Sequence, residues 1–195
     1  MPASQLASAL SAPYGSAMET AIFDTALGHF GIGWTERGLA RVLLPGDDPD
    51  ILREKLAGDH GRPGEPDRAM SALMNRIEDY ADGQRVEFAD TRLDLTGLPD
   101  FHRRAYDLLL QVGWGETLTY GDLARKLGDV GLSRAVGQAM GANPIPLVIP
   151  CHRVLASNGK PGGFSAPGGA VSKLRMLALE GVFVGALAGQ MNFGF

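Results

Sequence analysis

Gly97-Leu98-Pro99 divides this chain of 195 residues at the point where its hydrophobic pattern changes. A glycine and a proline so close together break helices and central strands alike, so no regular element is expected to run through them. Upstream, the apolar residues come in short, turn-bounded runs; downstream they recur at helical spacing. The reading is an α+β chain. A small N-terminal antiparallel sheet with a helix occupies residues 19–98, and a helical unit occupies 99–182. Residues 1–18 and 183–195 read as tails.

The first unit has three candidate strands: Ala21-Ile22-Phe23, residues 30–34 and residues 39–44, with Thr35-Glu36-Arg37-Gly38 as a turn. A short helix is expected over Ile51–Leu56 and a loop over residues 58–66, where Gly and Pro are dense. Met70, Leu73, Met74 and Ile77 mark the apolar side of a helix over Ala69–Tyr80. Residues 92–95 read as a last strand. No motif that carries chemistry falls in this half, which reads as a supporting unit.

In the second half, Asp100, Thr119, Ser133 and Ser172 stand where helix N-caps are expected. Two short helices, over residues 120–127 and 134–140, flank a turn at 128–132 and predict a helix-turn-helix. The second of them is thin, with Ala135, Gly137, Ala139 and Gly141. That suits either close packing on another helix or the approach of an external backbone. Arg134 and Lys173 fall in first helical turns and Glu180 at a helix end, each against the helix dipole. Such placements cost a few tenths of a kcal/mol each.

The chemistry concentrates in residues 143–154. An apolar run, Ile145–Ile149, reads as a strand and ends at Pro150. The sole cysteine, Cys151, follows, then His152 and Arg153. A thiolate is the nucleophilic form of cysteine, and neighbouring cations ease its formation. Cys151 is therefore a candidate nucleophile, or else a small core hydrophobe. One cysteine excludes an internal disulfide and any multi-cysteine metal site. No apolar run approaches the ~18 residues of a membrane span, and residues 1–18 carry no Lys or Arg, unlike a leader peptide. The expected setting is cytoplasmic, with no membrane association. The net charge of −4 hides an asymmetry. Residues 1–100 carry 9 basic against 17 acidic side chains, and residues 101–180 carry 9 against 5. A basic half is the candidate for contact with a phosphate backbone.

Pro150-Cys151-His152-Arg153-Val154, with Asn143-Pro144 upstream, resembles the signature of the O6-alkylguanine-DNA alkyltransferase family. The resemblance extends to residues 115–120, to Arg134-Ala135-Val136-Gly137, to Lys173 and to Leu179-Glu180-Gly181. It is strong over residues 100–182 and weak over 18–99. It implies a ribonuclease-H-like N-terminal unit without that fold's active site. It also implies a self-inactivating DNA-repair methyltransferase that moves an alkyl group from O6-alkylguanine, and from O4-alkylthymine, in double-stranded DNA to its own cysteine. Cys151 would be the acceptor, His152 and Glu180 a proton relay, and Asn143 the hinge that holds the cysteine. Tyr120, Arg134, Ala135 and Gly137 would contact DNA around a flipped nucleotide. Met140, Val154, Ser165 and Lys173 would line the base pocket. The protein would act as a monomer, with no cofactor and no metal.

Two departures from the family pattern alter the pocket. Phe164 stands where the family usually has tyrosine, and Ala166-Pro167 are additional. The competing reading is a non-catalytic, alkyltransferase-like or regulatory DNA-binding protein, a branch that replaces the cysteine. A cysteine hydrolase stands further off, because no oxyanion motif accompanies the Cys-His pair.

Overall fold

Alternation of large residues with glycine in one strand fixes how the first layer assembles. The computed structural model describes residues 17–184. Strands β1 (Met18–Thr25), β2 (Gly28–Thr35) and β3 (Gly38–Leu43) pair antiparallel in sequence. Phe30, Ile32 and Trp34 of β2 alternate with Gly31 and Gly33. The three large side chains enter the main core. The glycine face lets helix α1 (Pro49–Gly58) lie close, with Leu56 against Gly31. A fourth strand, β4 (Gly61–Pro63), pairs parallel with β1, giving the order β3-β2-β1-β4. The Gly/Pro-rich composition of that segment had suggested only a loop. Backbone pairing to Met18, Glu19 and Thr20 makes it a strand without help from propensity.

Helix α2 (Arg68–Ala81) is capped by Asp67, which accepts from the Met70 amide, and buries Met70, Leu73, Ile77 and Tyr80. The expected strand at residues 92–95 is reduced to one bridge, Leu39–Leu93. Buried Asp94 holds this segment, accepting from Thr35 Oγ1 at 2.6 Å, Arg37 Nε at 3.1 Å and the Thr96 amide at 3.1 Å. Side-chain bonds to a carboxylate here do what ladder bonds do in a strand.

The second half supplies α3 (Asp100–Leu109), α4 (Tyr120–Lys126), α5 (Ser133–Gly141) and α6 (Ala170–Leu179). Strands β5 (Leu118–Thr119) and β6 (Val154–Leu155) form a short parallel pair. Thr119 caps α4 in a reciprocal capping box with Asp122. The other three expected caps do not form. Pro99 precedes α3 and Asp100 lies inside its first turn. Leu132 precedes α5, and Ser133 instead donates to the Val130 carbonyl at 2.6 Å. Gly169 precedes α6, and Ser172 Oγ donates back to Pro167 O. In each case the chain enters the helix from a tight turn earlier than the capping residue type suggests.

Ile145–Ile149 is a compact turn rather than a strand. The Ile149 amide returns to the Ile145 carbonyl at 2.9 Å, and Leu147 adopts φ +76°, where side chains are disfavoured. The apolar run is explained by burial: Ile145, Leu147, Val148 and Ile149 are all essentially inaccessible. One contiguous core joins the sheet, α2, α3, α4, α5 and this turn, so the two halves share their interior. The predicted tails lie outside the described residues except at their inner edges, where β1 already begins at Met18.

Gly38 makes a sharp test of the junction between β3 and the Asp94 segment. It has φ +135°, and a Cβ there would stand 2.3 Å from the Arg92 carbonyl oxygen. Gly38→Ala is expected to cost roughly 2–4 kcal/mol, combining backbone strain with displacement of a rigid neighbour. The check is the midpoint of chemical denaturation. A loss under about 0.5 kcal/mol would mean that residues 92–94 are free to move away.

Candidate active site

Cys151 begins a single 3-10 turn, Cys151–Arg153, that follows Pro150 and leads into β6. Two supports hold the turn from upstream. The Asn143 side chain spans the compact loop, donating from Nδ2 to the Ile149 carbonyl at 2.9 Å and accepting the Ile145 amide at 3.0 Å. The edge strand β3 reaches the same loop, its Val42 amide donating to the Pro144 carbonyl at 2.9 Å. The N-terminal sheet therefore takes part in placing the cysteine.

His152 is completely buried, and its Nε2 lies 2.7 Å from Glu180 Oε1. An ionised carboxylate accepts only, so Nε2 carries the proton and Nδ1 keeps its lone pair. That Nδ1 is buried and meets no protein partner among the described residues. Glu180, the residue after α6, also accepts from Arg153 Nε at 2.8 Å and Nη2 at 3.0 Å. The guanidinium further donates to the Val112 carbonyl. Arg153 is thus engaged with Glu180, which corrects its reading as a cation beside the thiol. Burial raises the Glu180 pKa, but bonds from His152 and Arg153 outweigh it and bring the carboxyl down to about 2.

The cysteine is 4 % exposed. Burial pushes its thiol up, against the opposing pull of an Asn143 hydrogen bond, the Lys173 ammonium and local backbone amides. Burial also pushes His152 down, with Glu180 pulling it back. Both groups are therefore neutral near pH 7. Lys173 is fully buried, its Nζ bonded to the Val154 carbonyl at 2.5 Å and lying 5.8 Å and 5.9 Å from the Tyr120 and Phe164 ring centres. Burial lowers it to about 8, opposed by attraction to the Cys151 sulfur as thiolate. The sequence places Val171, Leu174 and Leu177 on one side of the final helix, as a buried face would be. The helix buries Lys173, Met176 and Leu177 instead, and Val171 is exposed.

A cavity of about 950 Å³ opens above Cys151. Tyr120, Arg134, Gly137, Met140 and Ser165 line it, so five of the expected DNA and pocket residues converge on the thiol. Ala135 lies beside them on α5 without lining the cavity, and Val154, Lys173, Asn143, His152 and Glu180 form the layer behind it. Arg134 is exposed and no ion pair holds it among the described residues. A Cβ built at Gly137 or Gly141 would meet nothing within 4 Å. Tight helix–helix packing therefore does not explain the thinness of α5 at these two glycines.

A second cavity of about 480 Å³ also reaches Cys151, between Asn143, Pro146 and the N-terminal unit. The additional Ala166-Pro167 forms part of its wall. Pro167 sits against the loop after β3, where a Cβ on Gly46 would come within 2.6 Å of the Pro167 Cβ. The insertion thus bridges the pocket loop to the sheet. Among the described residues, no cluster of three His, Cys, Asp or Glu side chains could hold a metal, and no helix is long and apolar enough to cross a membrane.

Residues 100–182 match the family model described as "6-O-methylguanine DNA methyltransferase, DNA binding domain". The methylated-DNA–protein-cysteine methyltransferase of Mycolicibacterium paratuberculosis is 38% identical over 144 residues, 71% of this chain and 85% of that protein. The protein of the same name from Methanothermobacter thermautotrophicus is 37% identical over 154 residues, 78% of this chain and 79% of the relative. Among solved structures, that of Mycobacterium tuberculosis OGT in complex with DNA superposes with a TM-score of 0.69 at 30% identity, covering 84% of this chain and 93% of the other.

The buried Glu180–His152–Arg153 group also generates a stability test. Its carboxyl sits at about 2 in the fold against an ordinary 4.5, so the ion-paired form stabilises the fold above about pH 4.5. That contribution is lost as pH falls from 4.5 through 2. Glu180→Gln removes the charge and leaves Arg153 buried without its partner, which should cost about 3–5 kcal/mol near neutrality. The gap between variant and wild type in thermal or urea unfolding should narrow as pH falls below 4.5. A gap independent of pH down to about 2.5 would show that the carboxylate charge is not what stabilises the fold.

Proposed function

The chain belongs to the methylated-DNA–protein-cysteine methyltransferase family, and from that premise we propose that Cys151 takes an alkyl group from O6-alkylguanine in duplex DNA, once per molecule. The observation that carries the mechanism is His152. Its Nε2 is fixed on Glu180 while Nδ1 stays free, one residue from a buried thiol at the base of an open cavity. With Cys151 neutral at rest, a base must take its proton during the reaction. His152 does so through Nδ1, by way of water, and Glu180 stabilises the resulting imidazolium. Lys173 offsets the charge on the thiolate.

The sulfur then attacks the alkyl carbon in line with the C–O6 bond. An S–C bond forms, the C–O6 bond breaks, and the guanine keeps the electron pair. The proton lost by the thiol is balanced by one the guanine takes up. The thioether is a very poor leaving group, so no turnover follows. No step calls for a cofactor or metal.

A base in a duplex cannot present O6 to this thiol, so the nucleotide must leave the stack. The open surface of α5 at Gly137 and Gly141 suits the close approach of DNA, with α4 and α5 acting as a helix-turn-helix. Tyr120 crowds the phosphate and exposed Arg134 fills the vacated space. Met140 and Ser165 border the base, with Ala135 beside the contacted backbone and Val154 and Lys173 beneath the pocket. Asn143 holds the cysteine loop. O4-alkylthymine is a second substrate, and the protein acts as a monomer. The working division is a DNA-binding and acceptor unit over 99–182 and a ribonuclease-H-like unit over 19–98. The retained cysteine, histidine and glutamate favour this reading over a non-catalytic DNA-binding protein.

Intact mass after mixing with a methylated duplex oligonucleotide tests the reaction. One methyl group should be gained, mapped to Cys151 and absent in Cys151→Ala; several turnovers per protein would overturn the reading.

A second measurement separates flipping from chemistry. Unstacking costs a few kcal/mol in a duplex and nothing for a free base. Arg134→Ala and Tyr120→Ala should slow duplex repair at least about tenfold, yet leave reaction with free O6-benzylguanine within about threefold. Glu180→Gln should slow both alike. Equal losses on both substrates for Arg134→Ala would remove its flipping role.

A further inference from the structure

The N-terminal half contains no motif of catalysis, yet one of its side chains touches the buried carboxylate. Tyr80, near the end of α2, is completely buried. Its hydroxyl lies 3.3 Å from Glu180 Oε1 and 3.3 Å from the Met176 carbonyl. Trp114 meets the ring edge-on at 5.5 Å between centres and Phe88 at 6.2 Å, so the ring has little freedom. The oxygen it approaches is the one that accepts from His152 Nε2. We propose that Tyr80 is a positioning residue of the transfer reaction: its hydroxyl donates to Glu180 Oε1 and so limits how strongly that carboxylate holds a proton on His152. The proposal rests on the alkyl-transfer reading and adds the N-terminal unit to the relay.

The argument follows from the donors around one carboxylate. Oε2 accepts from Arg153 Nε and faces the Gly115 amide at 3.5 Å. Oε1 accepts from His152 and from Arg153 Nη2, and Tyr80 is the remaining donor within reach. Burial and the Glu180 charge keep the phenol protonated, so it can only donate to a carboxylate. Every further donor disperses the negative charge on Oε1, and dispersed charge stabilises an imidazolium less. Besides Glu180, the charged and titratable groups acting on His152 are Arg153 and Lys173, which both lower its basicity, and the Cys151 thiol next to it in the chain. With the hydroxyl in place, His152 releases its proton more readily and is available as a base at lower pH. The same hydroxyl hydrogen is shared with the Met176 carbonyl, which ties α2 to the last turn of α6 and keeps Glu180 in register with the turn that carries His152.

Tyr80→Phe removes the hydroxyl and keeps the ring. Single-turnover kinetics with a methylated duplex oligonucleotide are the readout, because the rate constant describes reactive molecules and the amplitude counts them. Partial misfolding would change only the amplitude. Without the hydroxyl, His152 becomes more basic and the acid limb of the pH–rate profile moves up. The rate constant should fall about threefold or more near pH 6 and less than about twofold near pH 8. Replacing Tyr80 by 3-fluorotyrosine, a stronger donor of similar shape, should move the limb the other way. In a Glu180→Gln background, Tyr80→Phe should have no further effect on the limb. Equal loss at both pH values would reduce Tyr80 to a packing residue and overturn the proposal. An unchanged profile in both variants would overturn it too. Absence of methyl transfer by the wild-type protein would count against the proposed function, and is read separately.

Discussion

A single buried carboxylate organises the second half of this protein and ties it to the first. An isolated ionised carboxylate in the interior would cost many kcal/mol, so Glu180 requires partners with good geometry. It receives them from the turn that carries His152 and Arg153, from the Gly115 backbone and from Tyr80 of α2. These groups are separated by up to 100 residues in sequence. Satisfying one charge therefore fixes the end of α6, the turn after Pro150 and the approach of α2 together. The same bonds orient the imidazole that the proposed mechanism uses as a base. Stability and function draw on one set of contacts.

The cysteine depends on a different constraint, the compact turn before it. Leu147 holds a backbone conformation that costs on the order of 1–3 kcal/mol. Deep burial of four apolar side chains, the Asn143 bridge and the bond from Val42 of the sheet compensate. An extended strand over these residues would make the same burial possible, but it could not bring Ile149 back to Ile145. The turn points Cys151 into the cavity while the sheet supports it from behind. The N-terminal unit thus acts on the site twice, through Val42 and through Tyr80.

The sequence was legible where local chemistry decides the outcome. Short turn-bounded apolar runs gave the three-stranded core of the sheet, helical spacing gave α2, and Thr119 gave the start of α4. Cys151 and His152 were named from a short local motif, and Glu180, 28 residues further on, through the family resemblance. Legibility failed where distant partners decide. Residues 61–63 became a strand through β1, and residues 92–95 lost most of their strand character to the side chains gathered on Asp94. Ser133 and Ser172 look like caps, yet each bonds to a carbonyl of the preceding turn. Arg153 was assigned to the thiol because it is near in sequence, while the fold sends it to Glu180. Tyr80 carried no signal at all, since an aromatic residue at helical spacing is ordinary core.

Burial has opposite effects on the proposed acceptor and its proposed base, and together these suit a protein that acts only once. It raises the pKa of the Cys151 thiol and lowers that of the His152 imidazolium. A resting thiolate–imidazolium pair would be permanently nucleophilic, open to oxidation and to alkylation by any small electrophile. A neutral pair is inert until a substrate carbon lies in line with the sulfur. In the proposed mechanism the fixed charges of Lys173 and Glu180 then stabilise both ions as they form, without first having to reorganise. For an acceptor that cannot be regenerated, suppressing reaction with the wrong partner matters as much as speed with the right one. Depth achieves that suppression here, and the fixed ions behind the pocket restore reactivity when the base arrives.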